Sequence, residues 1–550
     1  MLLKGSKRFL EMGCVVLMKH KIGFLGMSLV VDLLLSGCTQ AQQAKKISHH
    51  QVVKLAIRDR AVTLDTAKLE DANGSQIAQN VYEGLYRLDK AGYLVLAGAK
   101  SEEKSSDKRV LTYHLKKNHW SNGDLVTAKD YVIAWQRAVN KTSGNSWNSL
   151  KILQNASAVH SGLLPLSSLG VKALDDLTLQ VTLVKPVSYY QQVFTSTVAM
   201  PQNYRLVQRY GTKYGTKAEY TAFNGPFKLN HWTPQAKQWT LVKNQNYWGH
   251  KSVKLKKAKY YTDEKTANVV KDFKKGKYDY VRVGTLYNSR YKKDADFHEH
   301  LIPQIIVLNF NPQRKVTANR HFRLAVTYAL DRRQLVKKQL KSGQALYGLI
   351  PQNYSYNLSN DLCFRKEYGN LVGYKPKLAR KYLKLAQQEL GQKKITLTML
   401  ATNTSESQLV AQKVAKQLKQ VLPDVTLKVK AVSLAQKIKQ ADAYQYDMVY
   451  LSWQPDFVDL SSFFNYGGML HLSDYQNQTY WQLVEQVQTM QASAKCRQMY
   501  AKAEKILIAQ DAFVVPVFQS TEGYFITKGV KGITFSPYAT TYYLRYVDAK

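Results

Sequence analysis

The sequence predicts an α/β protein of several domains, and three observations carry that expectation. In the second half, amphipathic helical stretches at Leu378–Leu390 and Gln408–Val421 are each followed by an apolar strand, Ile395–Leu400 and Val425–Val432. Such alternation between a helical and a strand period is the mark of an α/β layer. A further strand begins at Tyr446-Asp447-Met448-Val449-Tyr450-Leu451-Ser452-Trp453, a β-prone apolar run that breaks at Pro455. The length of 550 residues exceeds what one core supports, and 45% hydrophobic with 11% aromatic content is that of a folded chain, so two to four domains are expected.

In chain order, Met18-Lys19-His20-Lys21 and the mostly apolar Ile22–Leu35 form a basic start and a short hydrophobic core, followed by Leu35-Ser36-Gly37-Cys38. This is the pattern of a secretory leader, too short for a comfortable membrane span. Thr39–Gln51 is polar and reads as a flexible tether. Val52–Ile57 is a strand; Ser75–Leu85 is a helix with Ile77, Val81 and Leu85 on one face; Val110–Lys116 is an alternating strand. Trp120-Ser121-Asn122-Gly123-Asp124 is a turn, after which Thr127 and Asp130 have the spacing of a capping pair. Val171–Leu183 reads as a hairpin about Asp175-Asp176, Asn224-Gly225-Pro226-Phe227 as a turn into a strand, and Lys243–Trp248 as a loop. Ile305–Asn309 is extended, Phe322–Lys338 and Arg497–Leu507 are helices, and Phe513–Phe518 is a closing strand.

The formal charge is +40, and the chain keeps +37 without Met1–Gly37, which holds five Lys/Arg and two acids. That balance favours anionic polymers or lipid, but the basic residues are dispersed along the chain, which argues against nucleic acid. The four cysteines form no CxxC pair and no zinc spacing; Cys363 and Cys496 are left open as a disulfide or as two thiols. No phosphate loop, Gly-x-Ser-x-Gly elbow or His-Glu-x-x-His is present, and His49-His50 and His298-Glu299-His300 read as surface residues. No set of residues asks for an enzyme, a cofactor or a metal. Beyond Pro455 a single carboxylate, Asp456, stands between Trp453 and Phe457. Two readings are open for it: a turn residue bonding its own backbone, or a carboxylate at the mouth of a buried strand that holds a cation.

Several separated motifs agree on one resemblance. Val81-Tyr82-Glu83-Gly84-Leu85, Tyr113-His114-Leu115-Lys116, Trp120–Arg137, Gly170–Asp176, Asn224–Leu229, Ala325–Arg332, Trp453–Asp459 and Asp511–Phe518 resemble, in order, the oligopeptide-binding proteins, the extracellular solute receptors of ABC importers. Leu35-Ser36-Gly37-Cys38 is similar to the lipobox of bacterial lipoproteins. The resemblance implies a two-lobe, periplasmic-binding-protein-like α/β fold with an extra subdomain, its ligand cleft lying between lobes joined by two crossing strands. It implies a leader at 1–37, a tether at 38–51, a first lobe at 52–80, 201–305 and 513–550, a subdomain at 81–200 and a second lobe at 306–512. The implied function is a monomeric receptor, lipid-anchored through Cys38 at the outer face of the bacterial membrane. It would bind extended oligopeptides and deliver them to an ABC permease and its ATPase.

The resemblance also implies site residues. Asp456 would hold the peptide's free α-ammonium and Trp453 would wall the cleft, while Ser452, Gln454 and the Arg60–Val62 stretch would supply hydrogen bonds. Trp147 lies near an aromatic that stacks on ligand in relatives. Tyr450, Gln408 and Gln440 fall where receptors for short peptides carry a cation for the ligand's carboxyl end, and all three are uncharged. On that basis the cleft grips one end of a peptide and leaves the other free, or the ligand differs. The open alternatives are the same fold with another solute (a pheromone, a nickel chelate or a haem-like molecule) and a basic surface adhesin for anionic cell-wall polymers.

Overall fold

The computed structural model describes residues 51–550 except 58–59, 144, 263–265, 352–354, 358–361, 456–458, 465–474, 491–492 and 537–540. The leader, Cys38, His49-His50, Asp456 and Phe457 lie outside the described residues.

One eleven-stranded sheet organises the described chain. From one edge its order is Val425–Val432, Ile395–Thr402, Met448–Trp453, Phe297–Phe310, Val514–Ile526, Tyr280–Val283, Val52–Ile57, Lys257–Thr262, Gln238–Lys243 and Phe227–Asn230, with Gln344–Ala345 added beside Val514–Ile526. The two long strands at its centre pair antiparallel, with register shifts between Leu301 and Ile305 and between Ile306 and Val307. Such bulges bend and twist a strand. Here they fall where the pair passes from the core built by the first half of the chain to the cores of the second. Val52–Ile57 is a central strand between parallel neighbours, so both its faces are covered and its apolar run needs no alternation. In the second half, Ile395–Thr402 pairs parallel with Val425–Val432 across the helix Ser405–Val421, the predicted crossover unit.

A separate four-stranded sheet of Ala99–Lys104, Val110–Leu115, Thr178–Thr182 and Val171–Ala173 packs on the helix Ala128–Val139. The Trp120 turn is tied to this helix. The Trp120 indole donates to Asp130 Oδ2 at 3.0 Å, the Thr127 N–H to the same oxygen at 2.8 Å, and the Tyr204 N–H to Asp130 Oδ1 at 2.8 Å. Asp130 is 1% exposed, and burial, offset in part by those donors, pushes its carboxyl up to about 6.

The helices Pro376–Leu390 and Ser405–Val421 start two and three residues before their predicted spans, and three others differ by more than a shifted start. The first runs Ala72–Val81, because Asp71 accepts the Gly74 N–H at 2.6 Å and caps it earlier, and the extended Tyr82 leaves Leu85 beyond its end. The predicted Phe322–Lys338 helix stops after Arg320–Ala329. Leu330 is extended and Asp331 starts a new turn by accepting the Gln334 N–H, while the Arg332 guanidinium gathers the carbonyls of Thr327, Leu330 and Pro516. The C-terminal helix starts at Ala494 on a Ser493 cap and continues as a wider helix over Lys505–Gln510. Of the two readings left open, Cys363 and Cys496 are two thiols and not a disulfide.

Candidate functional site

The strand Met448–Trp453 is paired on one edge and open on the other. It pairs with Phe297–Phe310 along its whole length, from Met448 opposite Phe310 to Trp453 opposite Ile305. With Ile395–Thr402 it pairs only at Met448 and Val449. Among the described residues, no strand covers the far edge of Tyr450–Trp453. Successive residues of a strand turn their backbone groups to opposite edges. The Asn311 N–H donates to Asp447 O at 3.0 Å, which fixes the odd-numbered residues toward Phe297–Phe310. The even-numbered ones face the open edge, where the Lys437 ammonium donates to Tyr450 O at 3.2 Å. The N–H and C=O of Ser452 therefore face an edge that no described strand pairs with, the arrangement that takes up an added extended chain.

Side chains alternate across the sheet in the same strand. Val449, Leu451 and Trp453 pack in one core with Phe463, and the Trp453 and Phe463 rings meet edge to face at 4.9 Å. Met448 and Tyr450 pack in another. The Tyr450 hydroxyl, pushed up by burial and then by Glu406, faces Ser407. The structure thus puts Trp453 and Tyr450 on opposite faces. Gln454 is half-buried and Pro455 buried beyond the strand end.

Past the undescribed 456–458, Asp459 caps a short helix by accepting the Ser461 N–H at 2.8 Å. Burial, partly offset by Ser461, pushes its carboxyl up. Its charge acts on Tyr189 from the first half and on Tyr500 from the second, whose hydroxyls burial and then this carboxylate push up. The Asp459 carboxylate is thus near enough to Tyr189 of the first half to act on its hydroxyl beside the strand end.

The other expected residues make their contacts elsewhere. Arg60 donates to Gln235 O at 3.3 Å, and Val62 is 68% exposed with its N–H on Asp71 Oδ2 at 3.4 Å. Trp147 is buried, with His160 stacked on its ring at 3.8 Å and the Lys151 ammonium 4.8 Å from its centroid, so its ring is already occupied within the chain. Gln408 donates to Asn403 O, and Gln440 accepts from Lys430.

Sequence reasoning missed two features. One is Lys437, a single lysine in a chain with 79 Lys and Arg, which only burial singles out. The other lies on the central strands, where Arg282 donates to Glu522 Oε1 through Nε at 2.6 Å and through Nη2 as well. Gln519 Oε1, Ser520 Oγ, Glu522 Oε2 and His300 Nδ1 are buried there without a hydrogen-bond partner among the described residues. Burial and then Arg282 push the His300 imidazole down to about 4, so it is neutral at physiological pH. Buried polar atoms left unpaired in one stretch call for water or a ligand. Among the described residues no group of His, Cys, Asp and Glu is placed to hold a metal ion, and no helix is long and apolar enough to cross a membrane.

Comparison with known proteins gives a consistent picture. Residues 94–468 match the family described as bacterial extracellular solute-binding proteins, family 5 Middle. The chain is 28% identical over 544 residues to a dipeptide-binding protein of Lactococcus lactis subsp. cremoris, covering 95% of this chain and 98% of that one. A solved structure described as Listeria monocytogenes OppA bound to peptide is 30% identical, with a TM-score of 0.77 over 92% of this chain and 100% of that one. The substrate-binding domain of an oligopeptide ABC transporter from Bacillus anthracis str. Ames is 29% identical, with a TM-score of 0.77 over the same shares. The expected two-lobe α/β fold is borne out.

Proposed function

The chain belongs to the bacterial extracellular solute-binding proteins of family 5, and from that membership we propose that it is the peptide receptor of an ABC importer. It takes extended oligopeptides between two lobes and hands them to a membrane permease and its ATPase. The observation that carries the reading is the open edge of Met448–Trp453, where an extended main chain finds the N–H and C=O of Ser452. The peptide-binding names of relatives from Lactococcus and Listeria support it. In this reading Asp456 takes the ligand's free α-ammonium, Trp453 walls the cleft, and Gln454, Arg60 and Val62 line its approaches. Tyr450 and Trp147 keep packing roles.

The lobes divide as 52–80, 201–305 and 513–550 for the first, 306–512 for the second, and 81–200 for the subdomain. The separate four-stranded sheet and the central pair of long strands support that division. A lipid on Cys38 holds the receptor at the outer face of the membrane.

The test is calorimetry with oligopeptides whose amino terminus is free or acetylated. Acetylation should weaken binding by roughly tenfold to a hundredfold, the range for losing a charged hydrogen bond. Equal affinity removes Asp456 from its role, and no binding of any peptide refutes the receptor reading. Mass spectrometry of co-purified ligand separates peptides from a pheromone, chelate or haem-like solute. The +40 charge favours one second reading, adhesion to anionic wall polymers. That reading requires binding that collapses with salt while no peptide binds.

A further inference from the structure

We propose that a basic cavity beside the last strand of the chain binds a phosphate group. The cavity shares no residue with the open edge of Met448–Trp453, so the inference goes beyond the receptor reading and does not depend on it. The antiparallel pair of Val530–Lys531 with Asp548–Ala549 forms one wall. The short helix His250–Ser252 and Lys90, in the turn between the paired strands Tyr86–Leu88 and Leu94–Leu96, border the rest. The space is about 360 Å³, the size of a small-ligand site.

Its lining is one-sided in charge. Lys90, Lys254, Lys531, Arg545 and Lys550 supply five cations, opposed by the Asp548 side chain and the main-chain carboxylate at Lys550. Asp548 is already engaged: Lys254 Nζ lies 2.8 Å from its Oδ2, and the Gln51 amide donates to its Oδ1 at 2.8 Å. Lys90 and Lys531 are exposed at the rim, with no ion-pair partner among the described residues. The undescribed residues that adjoin these segments in the chain, 33–50 and 537–540, contain no Asp or Glu.

Behind the lining the imbalance continues in buried groups. Arg545, 11% exposed, donates through Nη2 to Glu83 Oε2 and to the Tyr247 hydroxyl, each at 2.6 Å. Arg87 Nε stands 3.7 Å from the same Glu83 oxygen and is buried without a hydrogen-bond acceptor among the described residues. Lys116, its ammonium 4.0 Å from the Trp248 ring centre, is a third cation in the field of that one carboxylate. The Nε and Nη1 protons of Arg545 take no acceptor among the described residues. A guanidinium with donors to spare matches the oxygens of a phosphate, and a concave site with low-dielectric walls focuses the potential that draws one in. A doubly charged anion uses this surplus better than a singly charged carboxylate does. The same chemistry arrives as a free phosphate or as the phosphodiester of a polymer or headgroup, and the test separates these sources.

The experiment is calorimetry of the full chain with inorganic phosphate, glycerol 3-phosphate, a glycerol phosphodiester and acetate at one ionic strength. A phosphate compound should bind at least roughly tenfold tighter than acetate. K90Q/K531Q/K550Q changes only exposed side chains and should weaken that binding roughly tenfold. K377Q/K381Q/K384Q removes as much charge from the exposed side of the helix Pro376–Leu390 and should leave it within about twofold. Peptide affinity should be the same in both triple variants. Tighter binding of the diester assigns a polymer or headgroup as the source, and tighter binding of inorganic phosphate assigns the free ion. Binding of no phosphate compound at millimolar concentration, equal binding of acetate, or equal losses in the two triple variants overturns the proposal and leaves the receptor reading intact.

Discussion

Replacing Asp130 by Asn tests how the most distinctive motif of the chain works. The carboxylate accepts the Trp120 indole, the Thr127 N–H and hydroxyl, and the Tyr204 N–H, and nothing charged pairs with it among the described residues. An amide has one acceptor oxygen. If that oxygen serves Trp120 and Thr127, the NH2 group faces the Tyr204 N–H, leaving a buried donor unsatisfied at about 1–3 kcal/mol. Against this, Asn removes a buried charge. The folded carboxyl is raised to about 6 from 3.8, so its contribution is fully present below 3.8 and is lost as pH rises through 6. By linkage the wild type gains about 2 kcal/mol relative to D130N between pH 7 and pH 4.

Glu83 has the opposite sign. Burial pushes its carboxyl up, but Arg545 and Arg87 hold it below the usual range, so its contribution fades as pH falls. Both proteins share that loss, and the difference between them cancels it. The assay is urea denaturation of both proteins at pH 7, 6, 5 and 4. A difference, wild type minus D130N, that stays constant or falls toward pH 4 refutes the reasoning and means the donors outweigh burial.

Other outcomes follow from the same geometry. Ser452→Pro removes the N–H from the open edge but keeps an extended backbone, so peptide affinity should fall at least roughly tenfold by calorimetry with little change in melting temperature. Arg332→Met leaves the carbonyls of Thr327, Leu330 and Pro516 without their donor and should lower stability by about 2–4 kcal/mol in the urea midpoint. Cys38→Ser should move the protein from the membrane fraction to the medium, and retention in the membrane would remove the lipid anchor.

Local pattern made much of the fold legible. The strand Val425–Val432 follows from its apolar run, the helix Ala128–Val139 from the spacing of Thr127 and Asp130, and the hairpin behind Asp175-Asp176 from its turn. These depend on neighbours a few residues away, which a sequence states directly. The break at Leu330 was not legible, because it is held by a carbonyl from Pro516, 184 residues along the chain from Arg332. The strand Met448–Trp453 was legible as an element, and its order among the motifs pointed to a site. Its use was decided by tertiary structure: which edge lacks a partner, which face Tyr450 takes, and that His160 already covers Trp147. Lys437 marks the division most clearly. In sequence it is one cation among many, and only the packing of its helix against the sheet removes it from water. Without water the same charge demands a partner, and that demand arises from burial, a property that residue type and local spacing do not encode.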